Sequence, residues 1–165
     1  MCRMPKRKQN RLQEYDYNSN GAYFITICTK DKKHLFWKEN INVGANCVRP
    51  YEYQLSSVGI TVNEEIKNIN NVYGNIVRID KYVVMPNHIH MIIVIDDYNS
   101  GRTQFAPTVS RIIKQFKGSV TKKIGSSIWQ RSFYDHIIRD ENDYLRIWDY
   151  IDTNPLKWSS DEYYS

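Results

Sequence analysis

Two histidines separated by a single residue, His88 and His90, begin a run of apolar residues. In a β-strand, residues i and i+2 point to the same face, so the two imidazoles would project together and could bind one metal ion. The alternative is that two structural histidines fall near each other by chance. A catalytic metal also needs at least one further protein ligand and an open position for a substrate. The pair alone therefore predicts only part of a site.

A tyrosine and an asparagine near the C-terminus, Tyr150 and Asn154, are spaced i, i+4. On a helix they lie about 40° apart. They fall on the flank of a predicted packing face made of Tyr144, Leu145, Ile147, Trp148 and Ile151. The alternative is a boundary tyrosine that packs its ring and exposes its hydroxyl, followed by an asparagine that ends the helix with Pro155. The residues themselves leave both interpretations open.

Basic residues are concentrated in two places. The formal net charge is +5 and the sequence pI is about 9.0, which favours a polyanionic partner such as a nucleic acid. One cluster lies in the first 11 residues and the other on a predicted helix: Arg3, Lys6, Arg7, Lys8 and Arg11, then Lys114, Lys117, Lys122 and Lys123. These are the candidate DNA-contacting residues, although each helix lysine could equally belong to a solvated face.

Cysteine usage and hydropathy narrow the class of protein. Three cysteines without C-x-x-C spacing fit neither a disulfide framework nor a zinc knuckle. No apolar run approaches the roughly 20 residues of a membrane span, and no apolar segment follows the basic N-terminus as in a signal peptide. We therefore expect a cytoplasmic protein without a membrane partner. Its 165 residues suit a basic arm over residues 1–20 and one domain over residues 21–165.

The elements that must position these residues follow from hydrophobic periodicity. Strands are predicted at 22–29, 51–55, 76–84 and 88–95, with a mostly extended stretch at 128–139. Helices are predicted at 58–72, 108–124 and 141–153, the last capped by Asp140 and stopped by Pro155. Two helices interleaved with antiparallel strands indicate an α+β fold, a ferredoxin-like (RRM-like) sandwich. It would have an antiparallel sheet of about five strands with helices packed on it.

Several motifs resemble those of one protein family. Met85-Pro86-Asn87-His88-Ile89-His90 resembles the HUH motif of single-tyrosine transposases, in which two histidines flank a bulky apolar residue. Asp149-Tyr150-Ile151-Asp152-Thr153-Asn154-Pro155 resembles the segment around their nucleophilic tyrosine. Residues 21–27 and 129–139, and Trp158 after Asn154-Pro155, also fit. The similarity covers roughly residues 7–158, and the C-terminal half is most similar to REP-associated tyrosine transposases.

The resemblance implies a reaction and a set of roles. Tyr150 would attack a phosphodiester of single-stranded or hairpin DNA, giving a 5′-phosphotyrosine and a free 3′-hydroxyl. His88 and His90 would hold a divalent metal, with Asn154 as the third ligand. The family implies Mg²⁺, although a site with two imidazoles suits Mn²⁺ at least as well. A homodimer is also expected, in which the tyrosine helix could serve its own or the partner's histidines.

Three alternatives remain beside a DNA-transposing enzyme. A domesticated relative that processes chromosomal repeats would share all of this chemistry. A ferredoxin-like module could bind single-stranded nucleic acid without cutting it, although the full aromatic signature of an RNA-recognition motif is absent. A replication initiator or relaxase uses the same histidine pair, but such enzymes usually carry additional domains that 165 residues do not accommodate.

Overall fold

The computed structural model describes residues 21–38, 54–96 and 107–164. Within them the sheet contains four strands: β1 (Gly21–Cys28), β2 (Val77–Val84), β3 (His88–Ile95) and β4 (Tyr134–Ile138). The strand order is β2-β3-β1-β4, and every pair is antiparallel. The helices are α1 (Ser57–Tyr73), α2 (Val109–Ile124) and α3 (Glu141–Thr153). The order β1-α1-β2-β3-α2-β4 confirms the predicted ferredoxin-like α+β fold.

The strand count is lower than the expected five. The strand predicted at 51–55 falls largely outside the described residues, and its last residue, Leu55, forms only an isolated bridge with Trp37. The extended stretch at 128–139 contributes only the five residues of β4 to the sheet, after an isolated bridge between Trp129 and Thr29.

Each of the three helices begins at a side chain that accepts a hydrogen bond from the first turn. Ser56 Oγ accepts from the Gly59 amide at 3.0 Å, and Asp140 Oδ1 accepts from the Asp143 amide at 2.8 Å. Thr108 caps α2 in the same way. These caps satisfy amides that have no partner within the helix. They fix where each helix begins, and all predicted helix boundaries lie within one residue of the observed ones.

One face of the sheet packs against α1 and α2. The inward residues of β1 and β3 alternate along the strands and are buried with the apolar stripes of the two helices: Tyr23, Ile25, Ile27, Ile89, Met91, Ile93 and Ile95. The odd-numbered residues of β3 thus face the core, while His88 and His90 project to the opposite face, as the alternation along a strand requires. No helix in the described residues is long and apolar enough to cross a membrane.

The other face packs against α3. Ile147 and Ile151 lie buried against Phe24 and Ile92, while Tyr144 and Trp148 pack at the margin. Leu145, which was predicted on this face, is exposed, and that prediction is wrong. At 100° per residue Leu145 lies about 160° around the helix from Ile147, on the solvent side.

The α-helix ends at Thr153, as Pro155 predicts, since proline has no amide to continue the hydrogen-bond ladder. The chain nevertheless keeps turning as a 3-10 helix, Asn154–Ser160, with Pro155 in its first turn. This turn brings residues 161–163 back over the face of the sheet that carries the two histidines.

Candidate active site

His88 and His90 lie at the start of β3 and point to the same face of the sheet, on the α3 side. Their Nε2 atoms are 3.0 Å apart, and the side chains are buried, with 0% and 1% of the residue surface exposed. Strand parity alone explains why both rings project together. The close approach of two ring nitrogens shows that both rings converge on one point.

The second nitrogen of His88 is fixed by the residue before it. Asn87 donates its amide Nδ2 to the backbone carbonyls of Lys32 (3.2 Å) and Tyr163 (2.9 Å), which leaves its Oδ1 as the acceptor. That oxygen lies 2.8 Å from His88 Nδ1. The proton of a neutral ring is therefore placed on Nδ1, and Nε2 keeps the lone pair that a metal ligand needs.

The second nitrogen of His90 is held by Thr26, its partner in the antiparallel register of β1 and β3. Thr26 Oγ1 lies 2.8 Å from His90 Nδ1, and both side chains are buried. Metal-binding histidines usually have this arrangement, in which one nitrogen is tethered by hydrogen bonding and the other faces the ion.

Both imidazoles are held neutral by their surroundings. Burial lowers the pKa of His88 to about 4. Burial also lowers the pKa of His90 well below its ordinary value, and the neighbouring His88 adds to the effect. Neutral imidazole is the form that coordinates metal ions, so near pH 7 both rings have the required protonation state.

Tyr150 projects from α3 toward this pair. Its hydroxyl lies 3.3 Å from His90 Nε2, and its ring meets Phe24 edge-on at a centroid distance of 6.0 Å. The residue is 38% exposed, which agrees with its predicted position on the flank of the packing face. Burial is the larger cause, and together with the carboxylates of Asp161 and Glu162 it raises the pKa of the phenol to about 12. The hydroxyl is therefore protonated at neutral pH.

Asn154 lies one turn beyond Tyr150 and is only 3% exposed. Its Nδ2 donates to Asp161 Oδ2 at 3.0 Å. Its Oδ1 is buried and has no hydrogen-bond partner among the described residues. A buried carbonyl oxygen without a partner is costly, and such an atom often marks a missing ion or water.

Asp161 was not anticipated from the sequence. Its carboxylate and the ring nitrogens of His88 and His90 lie within 4.8 Å of one another. It also accepts a 2.7 Å hydrogen bond from the Tyr163 amide. No periodic element contains it, and the only sequence signal was an acidic residue in the segment that follows Pro155. Its position depends on how the 3-10 turn returns the chain to the sheet.

The donor set fits a divalent cation. Two neutral imidazole nitrogens and one carboxylate lie within 4.8 Å of one another, and Asn154, which bonds that carboxylate through Nδ2, carries a buried amide oxygen without a partner among the described residues. Mixed nitrogen and oxygen donors suit Mn²⁺ well, while Mg²⁺ prefers oxygen ligands.

A groove of about 800 Å³ leads from this cluster toward β4. Its lining includes His90, Tyr150 and Asn154 at one end and Tyr134, His136 and Arg146 at the other. The histidine end is covered by Tyr163, whose ring centroid lies 4.6 Å from that of His88. We call this depression the tyrosine groove. It is the open approach to the Tyr150 hydroxyl.

None of the predicted DNA-contacting residues that the structure describes lines the tyrosine groove. Arg3, Lys6, Arg7, Lys8 and Arg11 fall outside the described residues. The α2 lysines lie in the helical layer on the opposite side of the sheet from the histidines. Of these, Lys114, Lys122 and Lys123 are exposed.

Two of the α2 lysines are bonded within the protein. Lys123 pairs with the buried Glu65 at 2.6 Å. Lys117 donates to the carbonyls of Gln130 and Ser132, each at 2.9 Å, and burial lowers its pKa to about 8. The geometry thus gives Lys117 and Lys123 structural partners, and a DNA contact from any of the four lysines stays a prediction.

Comparison with known proteins places the chain among transposase relatives. It is 37% identical over 177 aligned positions to a Haemophilus influenzae protein described as uncharacterized, covering 96% of this chain and 93% of that one. It is 26% identical over 152 positions to a second Haemophilus influenzae protein, which carries the provisional name REP-associated tyrosine transposase. That alignment covers 86% of this chain and 74% of the relative. No protein-family model matches the chain.

A solved structure of a REP-associated tyrosine transposase bound to a REP hairpin has the same fold. The TM-score is 0.57 at 24% sequence identity, over 89% of this chain and 74% of the other. The chain is thus a relative of proteins named REP-associated tyrosine transposases, and it shares the fold of that solved structure.

Proposed function

We propose that the protein is a metal-dependent transposase that nicks and rejoins single-stranded DNA through Tyr150. The observation that carries the proposal is the 3.3 Å approach of the Tyr150 hydroxyl to Nε2 of His90. A nucleophile is thereby placed beside a group of side chains that fits a divalent cation, at the end of an open groove. The relative named as a REP-associated tyrosine transposase supports the reaction class, and the resemblance of the motifs implies that Tyr150 acts together with His88 and His90.

His88, His90 and Asn154 would hold the metal, with Asp161 close enough to contribute. A bound Mg²⁺ or Mn²⁺ would supply positive charge that polarises the scissile phosphate and favours the ionised phenol. The raised pKa of Tyr150 makes such help necessary, because the free hydroxyl holds its proton up to about pH 12. Thr26 and Asn87 keep the two rings oriented, and burial keeps them neutral.

In the proposed step, the Tyr150 oxygen forms a bond to the scissile phosphorus as the bond between phosphorus and the 3′-oxygen breaks. The phenol proton leaves to solvent, and the departing 3′-oxygen takes up a proton to become a hydroxyl. The 5′-phosphate remains on the tyrosine, so the energy of the broken ester is preserved for rejoining by a 3′-hydroxyl without ATP. Attack by a different 3′-hydroxyl completes strand transfer.

The proposed substrate is single-stranded DNA next to a hairpin. The relative of known structure is described as bound to a REP hairpin, and the basic N-terminal cluster of this chain suits phosphate contacts with salt-dependent affinity. A homodimer stays a prediction. The hydroxyl of Tyr150 and both histidines meet within one chain, so these three groups come together without a second subunit.

The test is formation of a covalent adduct. The full chain is incubated with Mn²⁺ or Mg²⁺ and end-labelled oligonucleotides that carry a hairpin and single-stranded flanks. Adducts that survive denaturation are then resolved on a gel. We expect an adduct with the wild type, none with chelator, and none with Tyr150→Phe, which should still bind DNA.

Tyr144→Phe is the matched control, because Tyr144 lies on the same helix and its hydroxyl bonds Asp80 at 2.8 Å, away from the histidines. It should form the adduct normally. An undiminished adduct with Tyr150→Phe would show that another residue is the nucleophile. Tight DNA binding by the wild type without any adduct would favour the non-cleaving binding module. A repeat-processing relative would form the same adduct and differ only in the DNA that it joins.

A further inference from the structure

The edge strand β4 places two polar aromatic side chains on the same face of the sheet as the histidine pair. In the antiparallel register, Thr26 of β1 lies opposite both His90 of β3 and Tyr134 of β4. Two residues along β1, Phe24 lies opposite His136. Since residues in one cross-strand row share a face, Tyr134 and His136 project on the same side of the sheet as His90. Two strand spacings put their backbone about 10 Å from the histidine strand.

Tyr134 is available for contact. It is 51% exposed and lines the tyrosine groove. In the described sheet β4 has a neighbour on only one side. A planar ring presented in this way at the margin of a groove is a surface on which an unpaired base can stack.

Two basic side chains, His136 and Arg146, lie beside it and both bond one carboxylate. Asp143, in the first turn of α3, accepts from His136 Nε2 at 2.7 Å with one oxygen and from Arg146 at 2.6 Å with the other. Arg146 remains 73% exposed, and both His136 and Arg146 line the groove. The shared carboxylate limits the freedom of both side chains, which reduces the entropy lost when they bind an anion.

We propose that Tyr134, His136 and Arg146 form a nucleotide subsite, in which Tyr134 stacks on an unpaired base and the two basic side chains contact an adjacent phosphate. The ligand is a nucleotide of single-stranded DNA that flanks the scissile phosphate, so the inference rests on the proposed function. The groove connects the subsite directly to the Tyr150 hydroxyl, which lets one extended strand occupy both.

The chemistry of the subsite predicts what it recognises. A stacking ring accepts every base, since each has a π-face, while an unpaired base is required for the ring to reach it. Binding should therefore depend on the presence of a base at one position near the cleaved phosphate and only weakly on which base it is.

The test is an abasic scan, in which the base is removed from one nucleotide of the DNA at a time. Binding of the full-length protein is measured by fluorescence anisotropy in chelator, where no cleavage occurs, using a hairpin oligonucleotide with one abasic position at a time. For the wild type, one position near the cleavage site should weaken binding about 5- to 100-fold. Tyr134→Ala should bind the intact DNA more weakly than the wild type by a similar factor. Removal of the base at that position should then lower the affinity of the variant by less than a further twofold. Tyr134→Phe, which keeps the ring, should reproduce the wild-type profile.

The basic side chains are tested by the dependence on salt. Loss of one phosphate contact reduces the slope of log affinity against log salt by about 0.7 for a single strand. Arg146→Ala should show this reduction, while Arg146→Lys, which keeps the charge, should retain the slope. Circular dichroism would show whether each variant is folded.

The outcomes distinguish a failure of the proposed function from a failure of the nucleotide subsite alone. A wild-type protein that neither binds nor cleaves single-stranded DNA contradicts the proposed function and the subsite with it. Cleavage by the wild type, combined with an abasic profile that is flat or unchanged in Tyr134→Ala, overturns the subsite alone. An unchanged salt slope in Arg146→Ala removes the phosphate contact from the proposal.

Discussion

Replacing Thr26 by valine should weaken metal binding without changing the shape of the site. Thr26 Oγ1 lies 2.8 Å from His90 Nδ1, and both side chains are buried. Valine has nearly the same shape but no hydroxyl. It therefore leaves Nδ1 of the imidazole unpaired in a place that water does not reach.

The size of the effect follows from that burial. Leaving one buried polar group without its partner costs about 1–3 kcal/mol. The free energy of unfolding of the metal-free protein should fall by this amount. The ring of His90 would also be free to move its proton to Nε2, which is the nitrogen that faces the proposed ion. Loss of such an orienting hydrogen bond typically lowers metal affinity about 10- to 100-fold.

Two measurements separate stability from metal binding. Urea denaturation in chelator gives the free energy of unfolding, and isothermal titration calorimetry with Mn²⁺ gives the affinity. Thr26→Ser is the matched control, because it keeps the hydroxyl and removes only a methyl group. If Thr26→Val loses stability but binds Mn²⁺ as tightly as Thr26→Ser, the orienting role assigned to this hydrogen bond is wrong.

Three further predictions test burial and packing. Between pH 7.5 and pH 5 in chelator, the wild type should lose about 2 kcal/mol more of its unfolding free energy than His88→Gln. Burial lowers the pKa of His88 to about 4, so below pH 6.5 the unfolded chain takes up a proton that the folded chain does not. Equal losses of unfolding free energy in the wild type and His88→Gln would refute this reasoning. Ile151→Ala should lower the free energy of unfolding by about 2–5 kcal/mol and slow adduct formation, because it leaves a cavity between α3 and the sheet. Leu145 is exposed, so Leu145→Ala should change neither quantity. Lys117→Met should lower the free energy of unfolding, since its amine bonds two backbone carbonyls, while the exposed Lys114→Ala should leave it unchanged; equal stability of the two variants in urea denaturation would refute the structural role of Lys117.

Much of the fold could be predicted because its signals are local. The alternation of apolar residues after His88 fixed which side chains of β3 enter the core. The predicted cap Asp140 marked the start of α3. Prediction failed where local signals are weak: Leu145 is apolar but faces solvent, and periodicity does not reveal which strands find a neighbour in the sheet.

The sequence by itself determined the two short-range pairs of the candidate site. His88 and His90 share a face because successive strand residues alternate. Tyr150 and Asn154 share one because four residues make about one helical turn. Such relations depend on backbone geometry within a single element, so spacing is enough to establish them.

Only the tertiary structure decided that these pairs meet and what completes them. Thr26 lies 64 residues from His90 along the chain, and the strand register makes them neighbours. Asp161 reaches the histidines because the turn after Pro155 folds the chain back across the sheet. The strand register and the path of the chain after Pro155 are set by the packing of the whole domain, and no spacing within the sequence encodes them directly.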